Sequence, residues 1–337
     1  MRAGRQRVGG VALAVVSALA FGSAGPFSKA VLIAGALSPL RLAQFRITAA
    51  AIVLLIIVAV WRARHPRAGY RWTRADAGLV CLYGAFGFVA VQLFYFLAID
   101  RLPVGVALLL EYTSVVLVAL YAAIVQRRPQ PGAVWAGVVL AIAGLVVLTG
   151  PWEGFALNTV GALAGCCAAF TSAAYFLIGE HGTSRLPALD LIAYSAAAAA
   201  IELAFVLPLW SFPFAALHRS ARFAGHVWPV WSLLSVVVLV GTVLAYLLGV
   251  SALAHLASPT ATVIATLEIV AGAVTAWLVL GEHLTFNEIL GGLVIFAGVV
   301  VVAERARVRP QLPLQADAPL IADQEGGPPV EPADRLG

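Results

Sequence analysis

The sequence predicts an all-α integral membrane protein with ten transmembrane helices arranged as two inverted five-helix repeats. Three observations carry that expectation. Of 337 residues, 62% are apolar and 11% charged, against about 25% charged in a soluble globular chain, and mean hydropathy is +0.96. The apolar residues gather into ten long runs separated by Pro, Gly and Arg clusters. Paired patterns recur in the same order in the two halves. This composition excludes an ordinary soluble protein. It also excludes disorder over most of the length, which needs low hydropathy and high net charge.

The runs fall at about 8–34, 39–61, 76–98, 103–125, 132–149, 158–178, 189–210, 228–252, 258–280 and 286–304. A helix of about 20 residues crosses a hydrocarbon core about 30 Å thick. Strands are excluded because the runs lack the period-two alternation of a membrane barrel. Helices also satisfy their own backbone groups inside hydrocarbon. Arg2, Arg5 and Arg7 precede the first run, and Ala18-Leu19-Ala20 resembles a signal cleavage site. The apolar stretch continues past Ala20, however, and the reading is an uncleaved span.

A net charge of +5 raises the question of nucleic acid, and charge placement answers it. Lys29 is the one lysine among 21 basic residues, and the arginines cluster between apolar runs rather than along a binding stripe. With the N-terminus inside, inner segments hold fourteen: Arg2, Arg5, Arg7, Arg62, Arg64, Arg67, Arg71, Arg74, Arg127, Arg128, Arg185, Arg305, Arg307 and Arg309. Outer loops hold three: Arg101, Arg219 and Arg222. The positive-inside rule then puts both termini in the cytoplasm. Arg-heavy, Ala-rich usage fits a bacterial genome, hence a bacterial inner (cell) membrane. Residues 305–337 mix six prolines with five acidic residues and read as a disordered cytoplasmic tail. Cys81, Cys166 and Cys167 lie in apolar runs without metal-ligand spacing and read as buried thiols.

The repeat is visible in three pairs of spans. ALLLEYTSVVLVAL (107–120) and VIATLEIVAGAVTAW (263–277) align on Glu111 and Glu268, pairing Leu110 with Leu267 and Ala119 with Ala276. The fifth and tenth spans share Gly137, Ala143, Gly144 against Gly291, Ala297, Gly298. The first and sixth pair Phe21 with Phe170, Ser23 with Ser172 and Phe27 with Phe176. The chain thus divides into a first repeat within 1–150 and a second within 151–304. Five spans is an odd number, so the second repeat must enter the membrane from the opposite side. Alternating-access transporters are commonly built this way.

VLGEHLTFNEILGGLVIFAGVVVV (279–302) resembles the closing signature of the drug/metabolite transporter (DMT) superfamily, EamA type, and SPLRLAQFRITAA (38–50) is similar to that family's second helix. The resemblance covers roughly 11–303. LLEYTSVVLVAL (109–120) most resembles the amino-acid exporters of the family. It implies a central cavity between the first four helices of each half, with the fifth and tenth outside. Two departures stand out. Ile269 follows Glu268 where the family often has Pro, which leaves a helix break there open. Gln126-Arg127-Arg128 replaces the Gly-Glu turn after the fourth helix.

An ionisable group inside hydrocarbon costs about 2.5–3.5 kcal/mol on insertion scales, so each needs a reason. Glu111 lies roughly 12 Å from the outer end of its helix, and Glu268 about 15 Å and Glu202 about 18 Å from the inner ends of theirs. Symmetry-related Glu111 and Glu268 are candidate substrate- and proton-binding residues. Either can release a proton on one face and take one on the other, or bind a substrate ammonium while Arg46 or Lys29 meets a carboxylate. The structural alternative is a tie between Glu111 and Arg46 or Lys29. Lys29 and Arg41 lie near enough to the outer interface to snorkel. Gly22, Gly25 and Pro26 mark a helix break or cavity lining in the first span, or a packing kink. Tyr95, Tyr112, Tyr175, Tyr246 and Trp277 are candidate pocket walls or interface anchors. Gly137, Gly144, Gly291 and Gly298 suit close helix packing, within the chain or in a homodimer. His181, His255 and His283 read as solvated loop residues.

The leading expectation is a secondary active transporter that exports a small polar, amino-acid-like metabolite by alternating access, coupled to protons. Partners are then the small-molecule substrate, protons and the lipid bilayer, and no nucleic acid. A drug exporter or an importer on the same scaffold remains open. No Walker loop is present, and no H-E-x-x-H, G-x-S-x-G or paired-aspartate motif supports a membrane enzyme. No catalytic residue, metal site or cofactor is expected. A non-transporting scaffold would have no use for two buried carboxylates.

Overall fold

The computed structural model describes residues 2–64, 72–99, 101–102, 104–149, 158–281 and 285–305. Ten helices in it are long and apolar enough to cross a membrane. They are α1 (Val8–Ile33), α2 (Pro39–Arg64), α3 (Arg74–Ala98), α4 (Val106–Val125), α5 (Gly132–Thr149), α6 (Thr159–Thr183), α7 (Ala188–Val206), α8 (Val230–Leu253), α9 (Ser258–Val279) and α10 (Phe286–Arg305). The expected boundaries agree to within five residues. The tail beyond Arg305 lies outside the described residues, as do Arg67, Arg71, Arg307, Arg309 and His283.

Local chemistry starts and stops these helices. Thr73 opens α3 with a capping box: its hydroxyl accepts from the Asp76 N–H at 3.2 Å, and the Asp76 carboxylate accepts from the Thr73 N–H at 3.0 Å. Thr285 and Glu288 repeat the device at α10, at 2.7 and 3.2 Å. Asn158 caps α6 by accepting from the Gly161 N–H at 3.0 Å. Gly281 (φ 68°) ends α9 in the left-handed conformation that glycine adopts without a Cβ clash.

The seventh helix ends at Val206, short of the expected 210. Pro208 explains this, because a residue before proline is driven out of the helical region, and Leu207 sits at φ −126°, ψ 91°. Glu202 is thereby about one turn from the end of its helix rather than near mid-membrane. The connector to α8 makes two 3₁₀ turns, Leu209–Ser211 and Phe214–His218, then a hairpin of β1 (Ser220–Phe223) and β2 (His226–Pro229). This small hairpin is an addition to the all-α expectation. The hairpin docks through Phe223 on Phe27 (centroids 4.4 Å), and the preceding 3₁₀ segment docks through Phe212 on Phe45 (5.8 Å).

Among the described residues, the two largest apolar cores hold the bundle. One joins α2, α3, α7 and α8 through Leu54, Tyr83, Phe88, Ile192 and Val250. The other joins α1, α4, α5, α9 and α10 through Ala18, Val115, Val138, Ile264 and Val299. The two ends of the bundle are called here the base, where α1 begins and α2 ends, and the mouth, where α1 ends. α5 and α10 pack along their lengths. A Cβ added at Gly144 would sit 2.7 Å from the Gly291 carbonyl oxygen, and one at Gly291 2.5 Å from that of Gly144. These glycines therefore join two helices of one chain. Cys81 and Cys166 are exposed and Cys167 is half-buried, a correction to their reading as buried thiols. In a bilayer the outward face of a helix is as apolar as its inward face, so apolar context does not imply burial.

Candidate functional site

A chamber of about 620 Å³ runs from the mouth deep into the bundle, down to Ala14, Ala252 and Ala261 near the base ends of α1, α8 and α9. α1, α2, α3, α4, α6, α8 and α9 line it, whereas α5, α7 and α10 contribute no lining residue. It opens past Lys29, Leu32 and Ile33 near the end of α1, and Ala14, Ser17, Tyr175 and Ala252 lie at its floor.

Helix breaks cluster around this chamber. α1 is interrupted at Ala24, next to Gly25 and Pro26, whose ring leaves no N–H to donate. Two threonines interrupt α4 and α9. Thr113 donates its hydroxyl to the Leu110 carbonyl, and Thr266 donates to the Val263 carbonyl, each at 2.6 Å. Such local bonds compete with the helical ladder. The break before Glu268 therefore exists without the family's proline, because a threonine makes it. α3 and α8 carry wider π-helical turns at Ala85–Ala90 and Leu239–Leu244, each with glycine third, Gly87 and Gly241. Such turns often mark functional positions.

The candidate residues converge unequally. Glu111, Glu268, Arg46, Tyr112, Tyr175 and Gly25 all line the chamber, as do Tyr95, Tyr246 and Lys29. Tyr112 of α4 donates to Glu268 Oε2 of α9 at 2.9 Å, tying the two halves across the cavity. Arg46 and Gln92 both face the Tyr246 hydroxyl, and the buried Arg46 Nε has no hydrogen-bond partner among the described residues. Tyr175 stacks on Tyr83 (5.4 Å, 12°) and meets Tyr246 edge-on (5.8 Å, 83°), while Phe88 stacks on Tyr246 at 4.3 Å. These rings give the floor a stiff aromatic side. Ser172 donates to Ser114 Oγ at 3.2 Å, a second link between the halves.

Three candidates fall elsewhere. Trp277 does not line the chamber and is 48% exposed on the outer face of α9. It follows Glu268 by nine residues, two and a half turns, which puts it on the opposite side of the helix. Gly22 faces the backbone of α9: a Cβ there would lie 2.1 Å from the Glu268 carbonyl oxygen. Pro26 is buried but not a lining residue.

Sequence reasoning missed Gln92 and all of the charge pairing at the base. Arg62 pairs with Asp190 at 3.2 Å, Arg185 with Asp76 at 3.2 Å and Arg128 with Glu180 at 3.1 Å. Each carboxylate is nearly sealed from solvent. A carboxylate close to the end of an apolar run was the available signal.

The model of the EamA-like transporter family matches twice, at residues 8–150 and 159–303. The chain is 28% identical over 276 residues to the threonine/homoserine exporter RhtA of Salmonella typhimurium (strain SL1344), covering 79% of this chain and 82% of that protein. It is 29% identical over 264 residues to the Escherichia coli K12 exporter of the same name, covering 75% and 78%. An uncharacterized inner membrane transporter of S. typhimurium, YicL, is 24% identical over 244 residues, covering 70% and 76%. One crystal structure shares the fold with a TM-score of 0.65 at 19% identity, covering 88% of this chain and 97% of that one.

Proposed function

Because the chain belongs to the EamA-like transporter family, we propose that it exports a zwitterionic, amino-acid-like substrate across the bacterial inner membrane by proton-coupled alternating access. The family and the named relatives are transporters, so the enzyme alternative falls away. One observation carries the substrate reading. Two carboxylates, Glu111 and Glu268, and a guanidinium, Arg46, face a single chamber. An ammonium group finds its counter-charge at the glutamates. A carboxylate finds a planar fork of donors at Arg46, whose Nε lacks a partner among the described residues. The exporter relatives named for threonine and homoserine support the same class.

The charge count supports a base that faces the cytoplasm. The chamber then opens outward, and the chain is described in its outward-facing state. Glu268 and Glu111 are the proton carriers, because each faces the translocation path.

The test is equilibrium binding to purified protein in detergent. Arg46→Gln weakens binding of the transported amino acid by roughly 10- to 100-fold, the value of a hydrogen-bonded charge contact. The matching amine, which lacks a carboxylate, binds both proteins equally. An unchanged amino-acid Kd in the variant would remove Arg46 from the site.

A further inference from the structure

Arg128, Arg62 and Asp76 belong to the first family match, and Glu180, Asp190 and Arg185 to the second. The three ion pairs at the base therefore all bridge the two halves, at the end opposite the open mouth. Between the mouth ends, the bridging contacts described are of another kind: Arg41 donates to the Pro208 carbonyl (3.3 Å) and to Ser211 Oγ (2.8 Å), and Arg219 to the Gly35 carbonyl (3.4 Å).

Of the six, Glu180 also reaches the start of α9. It sits in the last turn of α6, where the helix dipole disfavours a negative charge, so it depends on donors from elsewhere. Arg128 supplies one, and the Ser258 N–H at the start of α9 supplies another at 2.8 Å, with the Ser258 hydroxyl bonding the same oxygen. α9 is the helix that carries Glu268, ten residues further on and just past the Thr266 break. Glu180 thus anchors the base end of the helix that bears the candidate proton carrier, and Arg128 fastens that anchor to the other half. The Gln126-Arg127-Arg128 departure gains a purpose here. Arg127 holds a left-handed turn (φ 51°) after α4, as Gly281 (φ 68°) does after α9. The first half uses that turn to present Arg128.

We propose that Glu180 is a positioning residue of the transport cycle: with Arg128 and Ser258, and aided by the Arg62–Asp190 and Asp76–Arg185 pairs, it clasps the base shut while the mouth is open. The clasp must release for the chamber to open at the base. Partly exposed arginines suit this, since water can take over their hydrogen bonds. Arg128 is 60% exposed, Arg185 41% and Arg62 33%, whereas their carboxylate partners are at most 6% exposed. The proposal rests on the alternating-access reading above.

The experiment uses the full chain with Cys81, Cys166 and Cys167 replaced and one reporter cysteine at Ala14, on the chamber floor. A membrane-impermeant maleimide is applied from the base side in inside-out vesicles and from the mouth side in right-side-out vesicles. Glu180→Gln keeps the size and the Ser258 contact but loses the charge. It raises base-side labelling roughly 2- to 10-fold and lowers mouth-side labelling, as expected when a half-exposed charge pair is removed from one of two states. Arg62→Asp and Asp190→Arg each act in the same direction, and the double exchange returns labelling towards the parent value. A merely structural role would not produce that recovery. Labelling unchanged in variants that melt with the parent overturns the clasp, and so does a rise that the double exchange fails to reverse. Flux by the parent protein is measured in parallel, and its absence would instead overturn the transport reading on which the clasp depends.

Discussion

Glu268→Gln abolishes gradient-driven transport, by at least roughly 100-fold, the scale on which losing a proton-transferring side chain is felt. The protein nevertheless inserts and melts close to the parent. Glutamine has the same shape and can still accept the 2.9 Å hydrogen bond from Tyr112, so the link between α4 and α9 survives. What it cannot do is gain and lose a proton or carry a negative charge. Structure is held constant while the chemistry is removed. Flux in proteoliposomes, normalised to reconstituted protein, measures the effect. Normal flux would remove Glu268 from both coupling and substrate recognition.

Gly22→Ala is the second large effect, and it acts through packing. The added methyl would lie 2.1 Å from the Glu268 carbonyl oxygen and 2.8 Å from both Ala271 Cβ and Gly272 N. Backbone cannot yield as a flexible side chain does, so α1 and α9 must separate. Overpacking of this kind costs about 1–3 kcal/mol, or about 3–10 °C in melting temperature. Flux falls further than stability, roughly 10- to 100-fold, because the displaced segment is the one holding Glu268 and small misplacements of reacting groups are expensive. Gly25→Ala is the internal control: nothing lies within 4 Å of its added Cβ, and its melting temperature stays with the parent. Equal melting temperatures for the two variants would contradict the close approach of α1 and α9.

Much of this architecture was legible in the residues because bilayer burial simplifies the pattern. A span must be apolar along its whole length, so its ends appear where Pro, Gly or Arg interrupts it. The ends of α6 and α7 were the least well placed, by five and four residues, and for α7 Pro208 was the visible stop. Glu111, Glu268 and Arg46 were identifiable as candidates because a charge in hydrocarbon stands out against its neighbours, and all three line the chamber. Trp277 failed as a pocket residue for a reason that periodicity held, half a turn out of phase with Glu268. The cysteines failed because hydropathy cannot separate a lipid-facing residue from a packed one. Nothing local encoded the pairing of Arg128 with Glu180, which are 52 positions apart. Charges at helix ends are ordinary in membrane proteins, and only the folded arrangement shows which of them meet. The connector hairpin was equally hidden, since its strands are four residues each.

The central proposal is that this chamber moves a zwitterion at the expense of a proton gradient. Purified protein in liposomes, loaded with a radiolabelled amino acid and given an imposed pH gradient, tests it directly. The expected result is amino-acid movement that follows the gradient, collapses with a protonophore, and is missing from Glu268→Gln liposomes made in parallel. Movement indifferent to the gradient, or equal in the parent and the Glu268→Gln protein, would contradict proton coupling through this site.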